Sequence, residues 1–286
     1  MSEIIERFAP LARDYDVLLS DVWGVVHNGL AAFPQACDAL MKFRAERGPV
    51  ILITNAPRAG DSVQRILDRL GVPRQAYDAI VSSGEVTRGI VESRLPQSVF
   101  HLGPDRDRSI FSGLDVSFAP VETADYVVCS GLFDDTVETP EDYRGLLGAM
   151  RGRSLFMVCA NPDIVVERGD ELLYCAGALA DAYADLGGAV LYCGKPYAPI
   201  YEAALGRAAA FRRGEPPALR RVLAIGDSVR TDLKGAASFG VDCLFVISGI
   251  HAEEFGGREA SGLSMLKTTF ADAGAAPKAI MRTLVW

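Results

Sequence analysis

The chain predicts an α/β protein built on a doubly wound, mostly parallel sheet. Three observations carry that prediction. Short apolar runs of strand length, rich in Val, Ile and Leu, recur along the 286 residues. Segments with helical periodicity separate them. Several of the runs stop abruptly at an acid, an amide or a hydroxyl. Near-continuous apolar runs suit strands covered on both faces, and their alternation with helices makes the pairing parallel.

In chain order, VLLSD at residues 17–21 reads as a buried strand and residues 36–48 as an amphipathic helix closed by Gly48. PVILITN (49–55) is a second strand, residues 62–71 a second helix, DAIVSSG (78–84) a third strand, and a helix follows near 85–95. The middle holds another alternating unit: VFHLG (99–103), DYVVCSG (125–131), a helix near 140–151, SLFMVCANPD (154–163) and a helix around 177–186. The final third resumes with a helix at 200–214, the strand RVLAIGDS (221–228), a helix from about 231 to 239, and the strand VDCLFVIS (241–248). APKAIMRTLVW (276–286) reads as a C-terminal helix that docks on the core or pairs with a second copy, so a homo-oligomer stays open. No internal repeat or low-complexity tract interrupts the pattern.

Composition narrows the function classes. Hydrophobic residues make up 49% and charged residues 23%, as in ordinary soluble proteins. A net charge of −8 argues against nucleic acid and against an anionic membrane surface, both of which need a basic footprint. Phosphate binding on such a chain requires a local cation. The first sixteen residues carry early acids and no apolar signal core, and no apolar run is long enough to span a bilayer. The six cysteines form no C-x-x-C pair and sit in apolar runs, which points to reduced thiols and a cytoplasmic location. The methionines read as core filler.

In a parallel sheet, ligands bind at the carboxyl ends of strands. Those ends are Asp21, Thr54 with Asn55, Ser82 with Ser83, and Asp227. One acid after a strand usually caps the next helix. Several converging on one edge repel unless a cation lies among them, so Asp21 and Asp227, with Asp232 beyond, are a candidate site for a hard cation such as Mg²⁺. Lys195, between Gly194 and Pro196, stands at a turn into a helix, where its ammonium can hold a dianion. Alone it would read as a surface lysine.

DVWGVV, ILITN, GKPYAPIY and IGDSVRTD, in this order and each at a strand end, resemble the four signature segments of the haloacid dehalogenase superfamily of phosphohydrolases. ANPD at 160–163 and CAGAL at 175–179 are similar to its class IIA branch, which includes 4-nitrophenyl-phosphatase-like and pyridoxal-phosphate-phosphatase-like proteins. The resemblance implies a catalytic core at residues 1–90 and 190–286, interrupted by an inserted α/β cap at 91–189 that governs specificity. It implies Mg²⁺ as cofactor and a small phosphorylated molecule as substrate. Asp21 would be the nucleophile that forms an aspartyl-phosphate. Thr54, with the Asn55 backbone amide, would bind phosphoryl oxygens. Lys195 would neutralise charge. Asp21, the Trp23 backbone carbonyl, Asp227 and Asp232 would hold the metal.

At Trp23 the sequence departs from the pattern. Phosphatases of this superfamily carry an Asp there, which protonates the leaving group and then activates water. An indole does neither, and such catalysis is worth roughly a hundred- to ten-thousandfold. His27, just downstream, is the nearest titratable replacement, though a loop histidine is the plainer reading. Three functions stay open: a phosphatase that manages without that acid, a haloacid-dehalogenase-like hydrolase acting at carbon, and a phospho-ligand binder with little turnover.

Other residues read more simply. Arg58 suits a phosphate or substrate carboxylate as well as it suits solvent. Asn161 and Asp163 read as an Asx turn before a strand, or as cap residues that meet the site on closure. The charged stretch His101–Phe111 reads as a solvated face. His251, Glu253 and Glu254 lie in a Gly-rich stretch that reads as a surface loop.

Overall fold

A computed structural model describes residues 3–168, 171–247, 266 and 268–286. In chain order the elements are β1 (Glu3–Ile4), α1 (Ala9–Ala12), β2 (Val17–Asp21), α2 (Pro34–Glu46), β3 (Val50–Thr54), α3 (Gly60–Arg69), β4 (Ala79–Ser82), α4 (Ser83–Ser93), β5 (Val99–Leu102), β6 (Tyr126–Cys129), α5 (Arg144–Gly152), β7 (Phe156–Cys159), β8 (Val165–Arg168), β9 (Glu171–Tyr174), α6 (Ala176–Asp185), β10 (Ala189–Tyr192), α7 (Ala198–Phe211), β11 (Val222–Gly226), α8 (Lys234–Phe239), β12 (Asp242–Val246) and β13 (Ala279–Met281). They fall into two compact units. The larger comprises Met1–Thr54, Val63–Val81 and Lys195–Trp286, and the smaller Asn55–Ser62 and Ser82–Gly194.

The larger unit is organised by a seven-stranded sheet in the order β1-β13-β12-β11-β2-β3-β4. Every residue of β2 and β11 is buried, as central strands covered on both faces require. Those strands pair in parallel, Ser20 opposite Ile225, and β2 pairs with β3 so that Asp21 stands opposite Ile53. The expected strands at 17–21, 49–55, 221–228 and 241–248 are all present, trimmed at most by two residues at either end. Helices α2 and α7 carry Pro in the first turn, where its missing N–H costs nothing.

The C-terminal stretch is a strand, not a helix: β13 adds in parallel to β12, and β1 adds to β13. AIM places three buried residues between β12 and the edge strand β1, and the chain then runs to Trp286, whose ring meets Phe8 edge-on at 5.7 Å. A short apolar run carries no periodicity long enough to separate strand from helix.

The smaller unit has a four-stranded sheet, β10-β7-β6-β5, parallel throughout. Alternation along β6 divides its side chains between two clusters. Val127 and Cys129 pack with Leu147, Met150, Leu179 and Tyr183 from α5 and α6. Tyr126 and Val128 pack with Val91 of α4 and with Ile110 and Phe111. Helix α4 lies in the Ser82–Gly194 segment of the smaller unit and covers this sheet through Val91. The His101–Phe111 stretch is not a solvated face: His101, Asp107, Ile110 and Phe111 are buried, and Asp105–Phe111 winds as a 3₁₀ turn over the sheet. The strand expected after the Asx turn at Asn161 and Asp163 is β8, and its antiparallel partner β9 has no counterpart in the sequence reading.

All six cysteines are buried with no disulfide between them. Among the described residues no helix is long and apolar enough to cross a membrane. His251, Glu253 and Glu254 lie outside the described residues.

Candidate active site

The site is built on the carboxyl edge of the seven-stranded sheet. Asp21 is the last residue of β2, Thr54 the last of neighbouring β3, and Asp227 follows the last residue of β11 on the other side. Register alone therefore lines up three polar side chains on adjacent strands. Asp232 is delivered differently. After β11 the chain makes a π-helical turn, Val229–Leu233, before α8 begins. The amides of Asp232 and Leu233 both donate to the Ser228 carbonyl, at 3.0 and 3.1 Å, and the Ser228 amide donates to Asp232 Oδ2 at 3.2 Å. Such wide turns concentrate at functional sites. This one replaces the start of the helix expected near residue 231, and it folds Asp232 back toward the sheet.

Two glycines make room for the acids. At Gly24, with φ +79°, a Cβ would lie 2.0 Å from Asp227 Oδ2. At Gly226 it would lie 2.1 Å from Asp232 Cγ. Neither position tolerates a side chain without displacing a carboxylate. The sequence shows both glycines, but only close approach in space reveals their use.

Asp21, Asp227 and Asp232 each present an oxygen within 4.8 Å of the others, and all three are buried. Lys195, 2% exposed, places Nζ 2.6 Å from Asp21 Oδ1 and 2.7 Å from Asp232 Oδ1. The Val22 amide donates to the same Asp21 oxygen at 2.7 Å, which fixes the carboxyl plane. Burial, followed by the Asp232 charge, pushes Asp21 well above the usual carboxylate range, and Lys195 only partly offsets this. Burial opposes the charge on Lys195, but the carboxylates of Asp21 and Asp232 outweigh it and raise its pKa. Three buried carboxyl groups thus gather with one ammonium, and like charges this close repel one another wherever they are ionised. The donor set is all oxygen, compact and anionic, so it fits a hard divalent cation.

The loop after β2 carries Trp23. The Gly24 amide donates to the His27 carbonyl at 2.8 Å, and His27 Nδ1 accepts from the Gly29 amide at 3.0 Å. His27 is 4% exposed, and burial pulls its pKa down to about 4. Its imidazole is therefore neutral at pH 7, engaged through Nδ1 in holding the loop, and poorly suited to donate a proton. Trp23 meets it edge-on at 5.3 Å and remains 39% exposed.

The remaining sequence candidates belong to the smaller unit. Asn55 is buried and donates Nδ2 to Asp163 Oδ1 at 2.9 Å. The Asp163 amide donates to Asn161 Oδ1 at 3.1 Å, the Asx turn expected before β8. Arg58 Nε lies 4.0 Å from Asp107 Oδ1, and the Arg58 carbonyl accepts from the Ser82 hydroxyl. Sequence reading missed the buried group around Asp107. There His101 Nε2 lies 2.9 Å from Ser130 Oγ. Ser130 also hydrogen-bonds Asp107, whose carboxyl burial raises to about 6 against the pull of Arg106 and Arg58.

The haloacid dehalogenase-like hydrolase profile matches residues 18–117, and a second, HAD-hydrolase-like profile matches 192–273. The chain is 45% identical to a solved hydrolase of the haloacid dehalogenase-like family from Brucella suis 1330, with a TM-score of 0.84 over 99% of this chain and 100% of that one. A 4-nitrophenylphosphatase from Thermotoga maritima shares the fold at 20% identity and TM-score 0.71, over 96% of each chain. The 5'-nucleotidase YutF of Bacillus subtilis (strain 168) is 24% identical over 244 residues, 85% of this chain and 91% of that protein.

Proposed function

The chain belongs to the haloacid dehalogenase-like hydrolase family, and from that premise we propose that it is a Mg²⁺-dependent phosphohydrolase acting on a small phosphorylated metabolite. The observation that carries the proposal is the cluster of three buried acids and one lysine at the carboxyl edge of the sheet. A carboxylate and a phosphate dianion repel, and this cluster supplies the charges that let them meet.

In the proposed mechanism Asp21 attacks phosphorus, the bond from phosphorus to the leaving oxygen breaks, and an aspartyl-phosphate forms. Water then cleaves that intermediate, releasing phosphate and restoring the carboxylate. Covalent catalysis of this kind divides one difficult transfer into two easier ones. Lys195, held between Asp21 and Asp232, balances charge on nucleophile and phosphoryl group. Thr54 and the Asn55 backbone amide bind phosphoryl oxygens. The Asn55 side chain instead serves Asp163. Arg58 is a further anchor for the phosphate or for a substrate carboxylate. Asp21, Asp227, Asp232 and the Trp23 carbonyl would hold the cation, which when bound neutralises the cluster and polarises the phosphoryl oxygens.

The indole of Trp23 transfers no proton, so the leaving oxygen takes its proton from water. Loss of a general acid slows the reaction without removing nucleophile, lysine or metal ligands. The smaller unit acts as the specificity-determining cap, with residues 91–189 as its inserted portion. The relatives named as 4-nitrophenylphosphatase and 5'-nucleotidase support the reaction type.

The test is phosphate release from 4-nitrophenyl phosphate with added Mg²⁺. Asp21→Asn is expected to lower kcat at least a thousandfold while the protein stays folded. Turnover that survives this substitution, or that proceeds equally in excess chelator, would remove the proposal.

A further inference from the structure

Trp23 is placed and braced in a way that the loss of an acid does not explain. Its neighbours Asp21, Val22, Val25, Val26 and His27 are all buried, yet its own side chain is 39% exposed. An exposed tryptophan on a loop would ordinarily sample several rotamers. Here the loop is shaped around the ring. A Cβ at Gly29 would lie 2.4 Å from the indole Cη2 and about 3 Å from its Cζ3 and Cζ2, so only glycine, at φ +83°, lets the six-membered edge settle there. The imidazole of His27 abuts it at an interplanar angle of 77°. His27 is in turn fixed by its carbonyl and by Nδ1, bonded to the Gly24 and Gly29 amides. Braced against both, the indole still presents surface to solvent. Chain geometry keeps its Cα within about 7 Å of that of Asp21.

A braced, partly exposed aromatic ring two residues along the chain from the proposed nucleophile is suited to binding. It gives a large contact area at little cost in side-chain entropy, and it prefers flat partners in stacked or edge-on arrangements. We propose that Trp23 is a specificity-determining residue that stacks against a planar, aromatic leaving group of the phosphorylated substrate. This rests on the phosphohydrolase reading for the position of the phosphoryl group. It adds the chemical class of what is attached: an aryl or heteroaryl phosphate rather than a phosphorylated polyol. The selection comes from the ring face and involves no proton transfer.

The test separates the two readings. Calorimetry with Mg²⁺ present measures binding of 2-naphthyl phosphate and of glycerol 3-phosphate to the Asp21→Asn protein, in which neither ligand is consumed. The same measurement is made after adding Trp23→Phe or Trp23→Leu. Trp23→Leu keeps apolar bulk but loses the flat face, and is expected to weaken 2-naphthyl phosphate about tenfold. Trp23→Phe keeps a ring and should stay within about threefold. Glycerol 3-phosphate should change less than twofold in both. An equal change for the two ligands, no change for either, or equal effects of Leu and Phe would overturn the stacking role. Failure of the unsubstituted protein to release phosphate from any ester would instead overturn the phosphohydrolase reading, and the binding ratios would still decide the role of Trp23.

Discussion

The two parallel sheets end in polar clusters of opposite character. At the carboxyl edge of the seven-stranded sheet, Asp21, Asp227 and Asp232 bring three buried carboxyl groups within 4.8 Å of one another, and Lys195 bonds Asp21 and Asp232. At the carboxyl edge of the four-stranded sheet, His101, Ser130, Asp107, Asn161 and Asp163 are each matched to a hydrogen-bonding neighbour. Both edges obey the rule that polar residues gather where parallel strands stop. The difference lies in what completes them. The first turns its oxygens toward one another as a donor set for a cation, whereas the second joins its members through side-chain hydrogen bonds and the contact of Arg58 with Asp107. A polar strand end is therefore a candidate ligand site when its oxygens converge, and a structural network when its polar groups bond one another.

Breaking the first cluster should have the largest effect on stability. Lys195→Met removes the ammonium that bonds Asp21 and Asp232. In chelator the expected loss is about 3–5 kcal/mol, the usual cost of stripping a buried charge of its partner. Mg²⁺ at a hundred times its Kd should return about 2.7 kcal/mol. Urea titrations with and without the cation measure both figures, and a loss that Mg²⁺ does not repair would contradict a shared cation site.

The second cluster should answer to pH. Burial lifts Asp107 from its ordinary 3.8 to about 6. A carboxyl whose folded pKa lies above its unfolded value holds its proton more tightly in the folded state. Its stabilising contribution is complete below about pH 4 and is lost as pH rises through about 6. The shift corresponds to about 3 kcal/mol at most. Asp107→Asn, which cannot ionise, should gain on wild type by up to that amount between pH 4 and pH 7. A stability difference that stays flat with pH would show that Asp107 is ionised throughout.

The smallest expected effect is that of Ser130→Ala. It leaves His101 Nε2 and the Asp107 carboxyl without a shared hydroxyl. A loss of about 1–2 kcal/mol follows from one buried polar contact left unmade. The affinity of the first cluster for Mg²⁺ should not change, since Ser130 belongs to the other unit. A change in Mg²⁺ affinity would break the contrast between the two edges.

Alternation of apolar runs with helical segments was enough to predict the parallel sheets, because strands buried on both faces leave a mark in composition. Asp21, Thr54 and Asp227 were readable for the same reason, since each ends or directly follows such a run. Lys195 was legible through its flanking Gly and Pro. Elements that lacked a periodic signature escaped or were misread. Those were the two-residue β1, the strand β9, and the C-terminal β13, whose three residues suit strand and helix equally. The charged letters of His101–Phe111 suggested solvent, because a sequence shows charge but not the partner that makes its burial affordable.

The sequence by itself determined the kind of protein and the chemical types at its strand ends, since local pattern fixes which residues form strands and where those strands stop. Tertiary structure decided how these residues are used. It brought Asp232 back onto Asp21 through a π-turn, set Gly24 and Gly226 beneath the acids, and clamped Trp23 between Gly29 and His27. Those outcomes depend on distances between residues far apart in the chain or on the closing of a loop. Electrostatic repulsion, burial and close packing act through distance in space, which the order of residues does not contain.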